Sequence, residues 1–106
     1  MINIFIAPTG IDSGLTTISL GLIQALDAQG LKVGFVKPIA PGLAANERST
    51  QLARSVLHLH TPDPMQLNDV QRSVSDGMLD RILEDSVALH AQVAEGCDVV
   101  IIEGLT

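Results

Sequence analysis

The sequence predicts one small α/β domain in which a parallel sheet, truncated to about three strands, is flanked by helices. Three runs of residues carry this expectation: Ile2 to Ala7, Leu31 to Val36 and Asp98 to Gly104 are short, mostly apolar and rich in β-branched side chains, without alternation of polar and apolar positions. That is the pattern of strands buried on both faces, as parallel sheets require. Between the runs lie longer stretches with apolar residues at helical spacing, so that strands and helices alternate along the chain.

The first run ends at Pro8-Thr9-Gly10, and from Leu15 to Gln29 the residues Leu15, Ile18, Leu22, Ile23 and Leu26 form a helical stripe that stops at Gly30. Glycine there suits the left-handed residue that closes a helix. The second run is punctuated by Lys37-Pro38, and Gly34 inside it predicts a close approach of backbone or helix. Strand, helix and strand make a crossover, right-handed by general rule, with the C-terminal strand ends at one edge. Ile39 to Ala45 is expected as a loop, Asn46 to Leu57 as a helix and Thr61-Pro62-Asp63-Pro64 as a break. Met65 to Ser73 has neither period and is expected to run across an edge of the sheet. Ser75 or Asp76 is expected to cap a helix reaching about Glu95, with Leu79, Ile82, Leu83, Val87, Ala91 and Ala94 as its apolar stripe and Asp80, Glu84 and Asp85 on its wet side. Gly96 ends that helix, and the third run follows with Glu103 at its C-terminal end.

At 106 residues and 46% hydrophobic content the chain can bury a core and suits a single domain spanning 1–106, which rules out intrinsic disorder. Six Lys and Arg against twelve Asp and Glu give a net charge of −6, and there is neither Tyr nor Trp. Both facts argue against a nucleic-acid partner, which needs a basic groove and stacking platforms. Cys97 is the single cysteine, so an internal disulfide is impossible and a structural zinc is not expected. The N-terminus lacks a basic leader region, and no apolar run approaches the ~20 residues that span a bilayer. A cytoplasmic protein without membrane contact is expected.

Ligands of open α/β sheets gather at the carboxyl ends of the strands, here the edge holding residues 9–17, Lys37 and Glu103. The loop from Pro8 to Thr17 lies between a strand and a helix, the position of a P-loop, and Gly14-Leu15-Thr16 mimics its Gly-Lys-Thr. In the full pattern backbone amides cradle phosphate, the lysine reaches the β and γ phosphates and the hydroxyl binds Mg²⁺. Here Leu15 replaces the lysine, Thr9 stands where the first glycine belongs, and Gly10 comes one residue late. Such spacing also suits a plain strand-to-helix turn that needs glycine for a positive φ. The candidate binding residues are Thr9, Gly10, Asp12, Ser13, Gly14, Thr16 and Thr17, with Lys37 and Glu103 from the neighbouring strand ends. No catalytic residue and no metal ligand set is assigned.

Thr9-Gly10, Gly14-Leu15-Thr16, Lys37-Pro38 and Glu103-Gly104 together resemble the dethiobiotin synthetase fold, a branch of the P-loop NTPases. Pro8-Thr9-Gly10, Gly14-Leu15-Thr16, Ser19-Leu20-Gly21, Phe35-Val36-Lys37-Pro38-Ile39-Ala40 and Val100-Ile101-Ile102-Glu103-Gly104-Leu105 resemble more closely the N-terminal region of long-form bacterial phosphate acetyltransferases. The resemblance covers most of the chain except Gly42 to Ser75. It implies a strand order 2-3-1, with the third run central. It also implies that acetyl transfer between coenzyme A and phosphate belongs to a C-terminal domain, while the N-terminal region resembles a nucleotide-binding fold turned to regulation and assembly. In that family Leu often stands at the lysine position, as Leu15 does. Lys37 resembles the synthetase lysine that contacts the acyl-acceptor substrate, although a solvated strand-end lysine has the same sequence signature. Glu103 resembles the acidic residue near the synthetase's metal, with Thr16 as a co-ligand and Glu47 as a more distant candidate.

Losing the loop lysine forfeits a charge-assisted hydrogen bond of about 1.5–3 kcal/mol, or about one to two decades in affinity, before any loss of transition-state stabilisation. The remaining lysines are Lys32, at the far edge, and Lys37. Phosphoryl transfer is therefore disfavoured. The favoured expectation is a non-catalytic regulatory or assembly domain, partnered by the C-terminal acetyltransferase domain and by a small anionic effector. The alternative is an ATP-dependent carboxylase or ligase similar to dethiobiotin synthetase, and a stand-alone binding module comes third. No cofactor is assigned; a nucleotide or phosphate with Mg²⁺ is the candidate. His58 and His60 read as solvent-facing and Cys97 as an inert thiol. The ending at Glu103-Gly104-Leu105-Thr106 suggests an N-terminal fragment of a longer chain, whose open sheet edge beside the first strand predicts a homo-oligomer.

Overall fold

The computed structural model describes residues 1–8, 14–43 and 47–105. Strand β1 (Ile2–Ile6) leads to helix α1 (Leu15–Ala28) and strand β2 (Val33–Val36). Then come β3 (Ile39–Ala40), α2 (Arg48–Ser55), β4 (Met65–Gln66), α3 (Leu67–Ser75), α4 (Leu79–Ala94) and β5 (Val99–Glu103). The main sheet is parallel in the order β1-β5-β2, which places the third apolar run centrally as expected. Ile2 pairs with Val99 and Ile6 with Glu103 on one side, and Val33 with Val99 and Val36 with Ile102 on the other.

Alternate residues of β2 and β5 feed two cores. Val33, Phe35, Val99 and Ile101 join Ile23 of α1 and Ala53 of α2 on one face. Val36 and Val100 meet Val93 of α4 on the other, with Leu89, Cys97 and Ile102 around them. The result is a sheet between two helical layers. Gly30, at φ +84°, turns the chain out of α1, and Gln29 and Gly30 donate to the last carbonyls of that helix.

Four expectations need correction. The first strand is not buried on both faces: as an edge strand it leaves Ile2 and Phe5 exposed, Phe5 at 64%. The expected loop at Ile39 and the unassigned stretch at Met65 pair with each other as a second, two-stranded parallel sheet, with Met65 N donating to Pro38 O at 2.7 Å. Leu67–Ser75 is a helix rather than an irregular crossing, so Ser75 and Asp76 close α3 instead of capping α4. The cap position of α4 is Met78, without a side-chain hydrogen bond, after the turn at Gly77.

The fourth correction concerns the face of α4 that packs. Leu79, Leu83 and Val87 of the expected stripe are exposed, Val87 at 68%, while Ala94 of that stripe packs with Leu89 and Val93 against the sheet. Gly34 explains the rotation. A Cβ there would lie 2.5 Å from Val93 Cγ1 and 3.0 Å from Cys97 Sγ, so the bare glycine backbone is the notch that receives Val93. The close approach expected at Gly34 is therefore present.

Candidate functional site

The C-terminal edge of the sheet collects a buried polar cluster. Glu103 ends the central strand β5 with no exposed surface, and its Oε1 accepts a hydrogen bond from Ser19 Oγ of α1 at 2.9 Å. Its Oε2 has no hydrogen-bond donor among the described residues, but the Lys37 ammonium stands 3.2 Å away in an ion pair. Lys37 follows β2 and is itself 5% exposed, so it is not a solvated strand-end lysine. Its Nζ also lies 3.5 Å from Glu47 Oε2.

Glu47 is held by a second task. As the residue before α2, its carboxylate accepts from Thr50 N at 2.7 Å, Ser49 N at 3.2 Å and Thr50 Oγ1 at 3.0 Å. A carboxylate at a helix start satisfies orphan amides and meets the positive end of the helix dipole. Ser49 in turn shares a 2.7 Å hydrogen bond with Thr16 Oγ1, tying the start of α2 to the start of α1. The cluster thus joins four elements through one ammonium, two carboxylates and a set of hydroxyls.

Of the expected binding residues, Thr16, Lys37 and Glu103 come together, and Gly14 lies beside them at the head of α1 in a left-handed conformation, φ +75°. Thr17 is exposed. Thr9, Gly10, Asp12 and Ser13 lie outside the described residues. Ser19, Ser49 and Thr50, which sequence reasoning did not assign, are fully buried parts of the cluster. Ser19 had a signal: it is three residues after Thr16 and four before Ile23, hence on the core-facing side of the helix. Leu15, at the position of the P-loop lysine, is 5% exposed and packs inward. Among the described residues, no group of three or more His, Cys, Asp or Glu side chains is arranged to hold a metal.

Elsewhere, His58 and His60 are exposed beside Arg54, whose Nε donates to Thr61 O at 2.8 Å and whose Nη2 donates to Asp63 at 2.9 Å. Cys97 Sγ donates to Val93 O at 3.2 Å. No helix of the described residues is long and apolar enough to cross a membrane.

The cluster lies at the carboxyl ends of a parallel sheet beside the head of a helix, the edge at which open α/β sheets take ligands. A family model described as an AAA domain matches residues 2–106. The chain belongs to that family. It is also similar to curated proteins named phosphate acetyltransferase: 50% identical to one from Pseudomonas aeruginosa, 47% to one from Pseudomonas putida and 32% to one from Escherichia coli. These alignments take in 99%, 99% and 96% of this chain but 15%, 16% and 15% of the relatives. The chain therefore spans about a sixth of the length of the relatives it matches, corresponding to their N-terminal region.

Proposed function

We propose that this chain is the N-terminal region of a cytoplasmic phosphate acetyltransferase and serves there in regulation and assembly rather than in catalysis. The observation that carries the reading is Leu15. A family built around a phosphate-binding loop has here a leucine at the lysine position, and that leucine is part of the packed interior. The nearest other ammonium, Lys37, is held between two carboxylates and has no free charge to offer a γ-phosphate. On this reading acetyl transfer between coenzyme A and phosphate resides in the remainder of the parent protein. A small phosphate-bearing effector meets the backbone amides at the head of α1, and the region takes part in homo-oligomer contacts of the parent protein.

A second reading, an ATP-dependent carboxylase or ligase of the dethiobiotin synthetase type, draws on the convergence of Thr16, Lys37 and Glu103 at one edge. The test uses the full-length parent enzyme with and without residues 1–106. Acetyl transfer is expected to survive the deletion, while its response to ATP, ADP or inorganic phosphate, or its subunit number, changes. Loss of acetyl transfer from a folded remainder, or Mg²⁺-dependent ATP hydrolysis by the 106-residue chain, overturns the reading.

A further inference from the structure

A P-loop-like family implies Mg²⁺ beside the phosphates, and the described residues of this cluster do not fit it. The oxygens that would ligate a cation are partly engaged but keep lone pairs, so what decides is the ammonium between them. Glu103 Oε1 accepts from Ser19, both oxygens of Glu47 accept from the start of α2, and the Thr16 and Ser49 hydroxyls bond each other. The oxygen left without a hydrogen bond, Glu103 Oε2, is fully buried and faces the Lys37 ammonium at 3.2 Å. That ammonium is 3.5 Å from Glu47 Oε2, so it occupies the space between the two carboxylates where a bridging cation would stand. A divalent ion brought there would meet a buried positive charge at contact distance, with little water to screen it.

We infer that Lys37 is a built-in counter-ion that takes the place of a divalent cation between Glu47 and Glu103, and that this cluster of described residues is therefore metal-independent. On the regulatory reading above, a phosphate-bearing effector then enters as the free anion and not as its Mg²⁺ complex. Methionine has nearly the length of lysine without its charge, so Lys37→Met leaves two buried carboxylates facing one another and turns their gap into a cation site.

The experiment compares wild type, Lys37→Met and Lys37→Met/Glu103→Gln in the full chain, by thermal unfolding and by titration with Mn²⁺ as the probe. Wild type is expected to bind no Mn²⁺ and to melt unchanged in ~1 mM of it; Lys37→Met is expected to melt low without metal and to gain about 5 °C or more with it. The double variant, with both charges of the buried pair gone, is expected to be stable and indifferent to Mn²⁺. Mn²⁺ binding by the wild type that is lost in Glu103→Gln overturns the proposal. So does a Lys37→Met chain that melts identically with and without Mn²⁺, or that fails to fold in both buffers while the double variant folds. Should neither variant fold, the wild-type titration decides, with Mn²⁺ binding counting against the proposal and indifference supporting it. None of these readouts depends on acetyl transfer or on an effector, so they fail separately from the regulatory reading.

Discussion

Leu15→Lys restores the residue that a phosphate-binding loop would carry, and the structure gives reason to expect loss rather than gain. Leu15 is 5% exposed, so its replacement forfeits most of the burial of a leucine side chain, about 1.5–3 kcal/mol. The new ammonium also sits at the first residue of α1, against the positive end of the helix dipole, for about 0.3–1 kcal/mol more. The sum is about 2–4 kcal/mol. A domain of this size is stable by about 5–15 kcal/mol, so the variant still folds, with its melting temperature lowered by about 10–20 °C. Leu15→Met, which conserves volume, is the control and should cost less than about 1.5 kcal/mol. Thermal unfolding followed by circular dichroism measures the shift, and release of phosphate from Mg²⁺–ATP measures any acquired activity. A Leu15→Lys chain that melts with the wild type and hydrolyses ATP above background would refute the reasoning, since the loop would then be a working phosphate site lacking one residue.

Gly34→Ala drives a methyl group to 2.5 Å from Val93 Cγ1, a stiff β-branched neighbour, and should cost about 1–3 kcal/mol by overpacking; adding Val93→Ala should recover part of that loss in urea titrations, and strict additivity would count against the contact. Ser19→Ala strips the buried Glu103 Oε1 of its hydrogen bond and should lower stability by about 1–3 kcal/mol, whereas an exposed change such as Thr17→Ala should stay within about 0.5 kcal/mol. Glu47→Ala removes both the start of α2 and one partner of Lys37, so it should cost more than an ordinary helix cap, above about 1 kcal/mol; a neutral result in the same titration would show the cluster to be slack. The open β1 edge, with Ile2 and Phe5 exposed, should make the chain self-associate, and Phe5→Lys should weaken that association. Sedimentation of the wild type as a monomer across a wide concentration range would defeat this.

The sequence alone determined the three main strands, the first and last helices, and the edge at which function would gather. Buried parallel strands demand unbroken apolar runs, and these are visible without partners. Thr16, Lys37 and Glu103 were legible for the same reason: Thr16 opens α1 after Gly14, Lys37 follows β2 before Pro38, Glu103 ends β5 before Gly104, and parallel strands bring those ends together. What the tertiary structure decided was every feature that depends on a partner distant in sequence. The hydroxyls of Ser19 and Ser49 carry no chemical signature of their own, and their bonds to Glu103 and Thr16 span 84 and 33 residues. The strands β3 and β4 are two residues each, too short for any period, and exist because they pair with each other. Helix α4 has apolar residues on more than one face, and its orientation was settled by the missing side chain of Gly34 on a strand nearly sixty residues earlier. The ion pairing of the site belongs to the same class. For a lysine after a strand the sequence left a ligand contact and a solvated end both open, and folding decided by laying two carboxylates from other elements against it.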